Sequence, residues 1–153
     1  VKYPNPPSTE HSTSKGSEIC SEDIQGDSEY LTPVLIGTPW TQYYLDFDTG
    51  SSDLWVMGNH CAKEVADPPN RNYYNSKASR SAICLFGETW DINYADGSYA
   101  SGDVFTDLLN LGGTVVKCQA IERATKCDPS FVSELGDGLM VSYPFLNIEV
   151  VRS

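Results

Sequence analysis

The sequence predicts an all-β fold of short strands joined by tight turns. Apolar and polar residues alternate at the two-residue period of a half-buried strand, as in Tyr43, Leu45 and Phe47 against Gln42, Asp46 and Asp48. Twelve glycines and nine prolines, spread along the chain, cut it into short segments. Ala95-Asp96-Gly97-Ser98 sits after a second alternating run and reads as a hairpin turn.

The elements follow in chain order. Residues 1–28 are polar and broken by Pro, Ser, Thr and Gly, and are expected to form an arm or tail. Residues 29–153 are expected to form the folded lobe. Leu31, Val34, Leu35 and Ile36 make an apolar strand that ends at Gly37-Thr38-Pro39. The Tyr43–Phe47 alternation is the next strand. A polar loop, Asp48-Thr49-Gly50-Ser51-Ser52, separates it from a strand over Leu54, Trp55, Val56 and Met57. Asn59 to Ala82 reads as loop. Trp90, Ile92 and Tyr94 alternate with Asp91 and Asn93 and lead into the hairpin turn. Val104, Phe105, Leu108, Leu109 and Leu111 run to a turn at Gly112-Gly113, and a strand follows over Val115 to Glu122. Ser130 to Leu135 is expected to be a short helix capped by Ser130. Gly136-Asp137-Gly138 then precedes Leu139-Met140-Val141. No internal repeat or low-complexity segment interrupts this order.

Length and composition narrow the function. A chain of 153 residues, 40% hydrophobic, forms one domain and buries roughly 70% of its unfolded surface. Acidic residues outnumber basic ones 21 to 10, for a net charge of −11. That balance excludes nucleic acid as a partner, because phosphate backbones bind Lys and Arg. It equally disfavours anionic membrane surfaces. An acidic surface suits work at low pH, where protonation relieves self-repulsion. Residues 1–7 lack the apolar core of a signal segment and no run is long enough to span a bilayer, so the chain reads as a processed, soluble product.

The five cysteines, Cys20, Cys61, Cys84, Cys118 and Cys127, include no CxxC pair. Disulfides in an oxidising, extracellular compartment are expected rather than zinc. Cys118 with Cys127 could close a small loop and Cys61 with Cys84 could staple the segment between them, leaving Cys20 free or bonded to another chain; other pairings stay open. His60 beside Cys61 lacks metal-ligand spacing, so neither metal nor cofactor is expected.

The chemistry-bearing segment is Leu45-Asp46-Phe47-Asp48-Thr49-Gly50-Ser51-Ser52. A carboxyl at the end of an apolar strand is raised in pKa by burial and lowered by donors from Thr49, Gly50 and Ser51. Such a poised group suits proton transfer to and from water. The wider string, Tyr30-Leu31-Thr32-Pro33-Val34, Ile36-Gly37-Thr38-Pro39 and Leu45 through Val56, resembles the N-terminal lobe of pepsin-like aspartic endopeptidases of the secreted fungal type. The resemblance continues through Trp90–Ser98 and Ala100–Val104, then more weakly over Gln119–Glu122 and Asp137–Leu139. It implies a six-stranded β-barrel or sandwich lobe with a flap hairpin and one short helix.

By the same resemblance Asp48 would be catalytic, Ser51 would hydrogen-bond its carboxyl, and Thr49 and Gly50 would lock the loop. Tyr94, Ala95, Asp96, Gly97 and Ser98 would form the flap over a peptide or protein substrate, with Trp55 bonded to Tyr94 and Asp46 near the substrate. Ala95 and the Leu139–Pro144 run depart from the family pattern. The family's chemistry uses two aspartates sharing a proton, and the chain has no second Asp-Thr-Gly or Asp-Ser-Gly. The second acid is expected from another lobe, as a separate chain or in a homodimer. The alternative is an inactive lobe that binds peptides or proteins as an inhibitor or effector.

Overall fold

The computed structural model describes residues 22–24, 29–48, 53–59, 61–63, 66, 71–133 and 136–141. The strands are β1 (Glu22–Ile24), β2 (Glu29–Ile36), β3 (Thr41–Asp48), β4 (Leu54–Met57), β5 (Ile83–Asn93), β6 (Tyr99–Leu111), β7 (Thr114–Cys127) and β8 (Gly138–Val141), with one helix, α1 (Pro129–Ser133), between β7 and β8. Six of the strands close a ring in the order β2-β3-β8-β4-β7-β6, because β6 pairs back onto β2. β1 extends the sheet from β2, and β5 extends it from β6. Among the described residues the all-β expectation, the six-stranded barrel and one short helix are therefore found.

Alternation fills the barrel. Tyr43 and Leu45 of β3 point inward with Val34 and Ile36 of β2, and meet Leu54, Val56, Phe105, Leu109, Val116 and Ile121 in one core. Each such side chain contributes roughly 1.5–3 kcal/mol by leaving water. β4 breaks the alternation. All four of its residues are buried, because Leu54 and Val56 face the barrel while Trp55 and Met57 face a second apolar layer outside it. A strand covered on both faces reads as an unbroken apolar run. The second layer holds Phe131 and Val132 of α1, Ala100, Ala124 and the Cys61–Cys127 pair, with Trp90, Ile92, Tyr94 and Leu139 packed against it.

β8 lies between β3 and β4. It runs parallel to β3, with Leu45 opposite Gly138 and Asp48 opposite Val141, and antiparallel to β4, with Trp55 opposite Leu139. Gly138 is required by this threading: a Cβ there would lie 2.2 Å from the Trp55 carbonyl oxygen.

Two expectations are corrected. The helix cap is Asp128, not Ser130. Asp128 Oδ1 accepts from the Ser130 amide at 2.9 Å and from Ser130 Oγ at 2.7 Å, and Pro129 takes the first helical position, where its missing N–H costs nothing. The disulfide joins Cys61 to Cys127, in place of Cys61–Cys84 and Cys118–Cys127. The parallel β4–β7 pairing brings the C-terminal ends of both strands together, and the Cys127 amide donates to the Cys61 carbonyl at 2.9 Å. Cys84 on the outer strand β5 and Cys118 in an irregular stretch of β7 are exposed free thiols. Cys20 and His60 lie outside the described residues.

Replacing both Cys61 and Cys127 by Ser should lower stability by about 4 kcal/mol, the loop-closure entropy of a cross-link spanning 66 residues. Urea unfolding with and without reductant checks this, and reductant should have no further effect on the double variant. Gly138→Ala should cost about 3 kcal/mol or prevent folding, because the obstacle is backbone and cannot swing away; the same unfolding measurement reads it.

Candidate active site

Of the expected site residues, Asp46 and Asp48 stand on β3, and Trp55 of β4 meets Tyr94 at the β5–β6 hairpin. Asp48 is the last residue of β3 and is paired in register with Val141 of β8. Its side chain, and the expected supporting residues Thr49, Gly50 and Ser51, lie outside the described residues. The strands on either side of that segment, β3 and β4, are both bonded to β8, so the two ends of the loop are held on one short strand.

The hairpin turn is built by local chemistry. The Gly97 amide donates to the Tyr94 carbonyl at 3.0 Å, and the Tyr94 amide to the Ser98 carbonyl at 2.9 Å. Gly97 has φ +91°, a conformation that side-chain-bearing residues avoid. Asp96 Oδ1 accepts from the Ser98 amide at 2.9 Å and from Ser98 Oγ at 2.7 Å. These bonds, the hydroxyl's first, hold the Asp96 carboxyl below the usual carboxylate range. Ala95, Asp96 and Gly97 are exposed at the tip, and Ser98 is buried.

The hairpin is tied to the barrel through Trp55. Its Nε1 donates to Tyr94 Oη at 3.0 Å. Phe131 of α1 packs edge-on against both rings, at 5.2 Å from Trp55 and 5.7 Å from Tyr94 between centroids. Trp90 stacks on Trp55 at 6.0 Å between centroids. Asp46, half-buried on the outer face of β3, lines a small cavity with Trp55, Met57, Phe131, Gly136, Gly138 and Leu139. A cavity of about 210 Å³ around Gly58, Asn59, Tyr74, Asn75, Arg123 and Thr125 contains none of the expected site residues.

Beneath the site lies a buried ion pair that sequence reading did not single out. Arg71 Nε stands 3.7 Å from Asp137 Oδ1, with the two side chains only 4% and 6% exposed. Arg71 Nη1 also donates to the Phe131 carbonyl at 3.1 Å. Asp137 Oδ2 accepts from the Tyr44 amide at 2.9 Å, and the Met57 amide donates to the Asp137 carbonyl at 2.9 Å. The pair thus joins β3, β4, α1 and the start of β8. Burial pushes the Asp137 carboxyl up, and the Tyr44 amide and Arg71 pull it part of the way back. Phe131 was also missed as a site neighbour. The signal for it was Asp128-Pro129, a cap residue followed by proline at the first helical position.

Among the described residues, no group of three or more His, Cys, Asp or Glu is placed to hold a metal ion, and no helix is long and apolar enough to cross a membrane.

The profile of the family described as eukaryotic aspartyl protease matches residues 29–152. The chain belongs to that family. Among similar aspartyl proteases, endothiapepsin of Cryphonectria parasitica is 46% identical over 128 residues, which is 83% of this chain and 30% of the relative. Aspergillopepsin-1 of Aspergillus fumigatus is 39% identical over 146 residues, 95% of this chain and 35% of the relative. Rhizopuspepsin-1 of Rhizopus niveus is 39% identical over 140 residues, 92% and 35%. The chain spans about a third of the length of the curated relatives it matches.

Arg71→Met should destabilise the protein by about 3 kcal/mol near pH 7, because it strands the Asp137 carboxylate in the interior. The sign with pH is set by the raised folded-state pKa. The native state holds more protons than the unfolded chain above the ordinary aspartate range, so this group's contribution falls as pH rises. The Arg71→Met penalty should shrink as pH is lowered and Asp137 takes up its proton. Unfolding midpoints of both proteins across acidic to neutral pH measure it.

Proposed function

We propose that this chain is one lobe of an acid endopeptidase and supplies Asp48 as one of two catalytic aspartates. Residues 29–153 form the lobe and residues 1–28 an arm leading into it. The second aspartate comes from another lobe, as a separate chain or a second copy. The observation that carries this reading is the hydrogen bond from Trp55 to Tyr94. It joins the β5–β6 hairpin to the strand that leaves the Asp48 segment, so a hairpin lid and an acid-bearing strand end belong to one unit.

Two carboxyls brought close cannot both ionise, so the pair keeps one proton. The ionised member takes a proton from a water held between them, and the water oxygen attacks the peptide carbonyl carbon. The protonated member gives its proton to the carbonyl oxygen. Proton return to the amide nitrogen then lets the C–N bond break. In this reading Thr49, Gly50 and Ser51 orient and bond the Asp48 carboxyl. Ala95, Asp96, Gly97 and Ser98 present backbone groups to the substrate, which is a peptide or protein, and Asp46 borders the same cleft. The net charge of −11 supports work in acid, and the Cys61–Cys127 bond supports a secreted, oxidising location.

The test is the native particle, isolated without reductant. Its mass should exceed that of one chain, and it should cleave peptides at acidic pH. Pepstatin and Asp48→Asn should each remove that activity, the variant by on the order of 10³-fold or more. An inert assembly that captures peptides or a protein partner equally well after Asp48→Ala would sink this reading and favour the non-catalytic binding module.

A further inference from the structure

β5 is the outer strand of the sheet, and among the described residues its only strand partner is β6. Its first half is irregular. Cys84 pairs with Phe105 and Thr89 with Asp103, so Leu85, Phe86, Gly87 and Glu88 stand against the single β6 residue Val104. Gly87, at φ +88°, lets the chain bulge there. The bulge carries Phe86 out of the sheet, where it is 98% exposed. Ile83, at the start of the strand, is 61% exposed. Outer strands that stay in water are guarded by charge, yet no charged residue stands between Ser81 and Gly87.

Charge is placed on both sides of that neutral stretch. Lys77 and Arg80 precede it, in the turns that lead into β5, and Glu88 and Asp91 follow it. All four are exposed, and none forms an ion pair with another described residue. Cys84 is midway in sequence between Arg80 and Glu88, and also between Lys77 and Asp91. A second copy laid antiparallel about a two-fold axis at Cys84 therefore sets the basic end of each segment against the acidic end of the other, and the neutral centres meet. Laid parallel and in register, the same segments would bring like charges together. Self-complementarity in one orientation is what a two-fold contact requires.

We propose that the Ile83–Glu88 bulge is a docking surface for a second copy of this chain, with Phe86 of each copy seated against Ile83 and Leu85 of the other. The net charge of −11 opposes self-association in general, and the local match of opposite charges offsets it in this orientation. Cys84, exposed and unbonded, lies at the axis and reports the contact. The surface is at the start of β5, and the hairpin tip is at its other end, so the tip stays open. The pairing does not rest on the proposed function.

The test is sedimentation of the full chain over a concentration series, with non-reducing gels alongside. The particle should pass from one chain to two as concentration rises. Phe86→Ser should weaken the dimer on the order of 100-fold, because two rings per dimer lose their cover. It should leave the unfolding midpoint of the single chain unchanged, since the ring is in water there. K77E/R80E and E88K/D91K should each stay single, because like charges then face each other. Mixed in equal amounts, the two variants should dimerise. Oxidised glutathione should lock the wild-type dimer through Cys84: two thiols lose two protons and two electrons to form one disulfide, and glutathione disulfide is reduced to two glutathiones. C84S should abolish the covalent dimer, and C118S should not. A chain that stays single at high concentration, a dimer indifferent to F86S, charge variants that do not rescue one another, or a dimer that never locks through Cys84 overturns the proposal. So does a single chain that uses Phe86 to bind neutral lipid vesicles instead. F86S should leave any peptide cleavage unchanged, so a particle that it reduces to one chain owes its mass to this contact and not to a second catalytic lobe.

Discussion

The rest of the structure depends on the burial of β4 on both faces. Leu54 and Val56 close the barrel, and Trp55 and Met57 found the layer outside it. A four-residue strand with no solvent face cannot sit at an edge, so it needs a paired neighbour on each side. β7 and β8 are those neighbours. The remaining features follow from that demand. β8 must enter beside β4 and takes glycine where it passes the Trp55 backbone. The hairpin packs on the outer layer because Trp55 and Phe131 are there to receive Tyr94. The disulfide forms where the ends of β4 and β7 lie together.

Loop 71–82 is long and polar, yet it is fixed to the barrel by two buried acids. Arg71 reaches Asp137 at one end. At the other, Asp107 accepts from Tyr74 Oη at 2.9 Å, Ser79 Oγ at 3.1 Å, Ser81 Oγ at 2.6 Å and the Leu108 amide at 2.8 Å. Buried carboxylates persist only with such partners. The Tyr74 hydroxyl is pushed far above the ordinary tyrosine value, first by burial and then by its bond to Asp107, so it stays a donor at any pH the fold experiences. Loop residues thereby act as part of the core's polar lining.

The acids divide by environment. Asp96 and Asp128 occupy the same local motif, an aspartate followed two residues later by a serine whose hydroxyl and amide both donate to it. Asp96 is exposed and Asp128 partly so; both are held below the usual range, and they shape a turn and a helix start. Asp137 and Glu122 are interior and are pushed the other way by burial. A fold with this division keeps its surface turns charged in mild acid while its interior acids take up protons. By linkage, protonation at the two raised groups favours the folded form as pH falls, whereas Asp96 and Asp128 contribute in their charged form.

Much of this architecture was legible in sequence, because local alternation and turn chemistry specify it. The β3 alternation, the apolar β4 run, the Asp96-Gly97 turn and the Asp48 string needed no tertiary information. Strand lengths were under-read: β7 extends to Cys127 rather than Glu122, since its later residues pair with β6 and are not set by their own periodicity. The cap at Asp128 was misassigned by two residues because the Ser130 hydroxyl is also a capping oxygen by type; in the structure it donates to the Asp128 carboxyl instead. Disulfide partners, the Arg71–Asp137 pair and the meeting of Glu122 with Trp55 depend on which distant strands become neighbours. Parallel pairing of β4 with β7 and the insertion of β8 make those choices, and they are decided by closing one barrel around one core. Sequence alone determined which side chains face inward along each strand; the tertiary structure decided which strands they face.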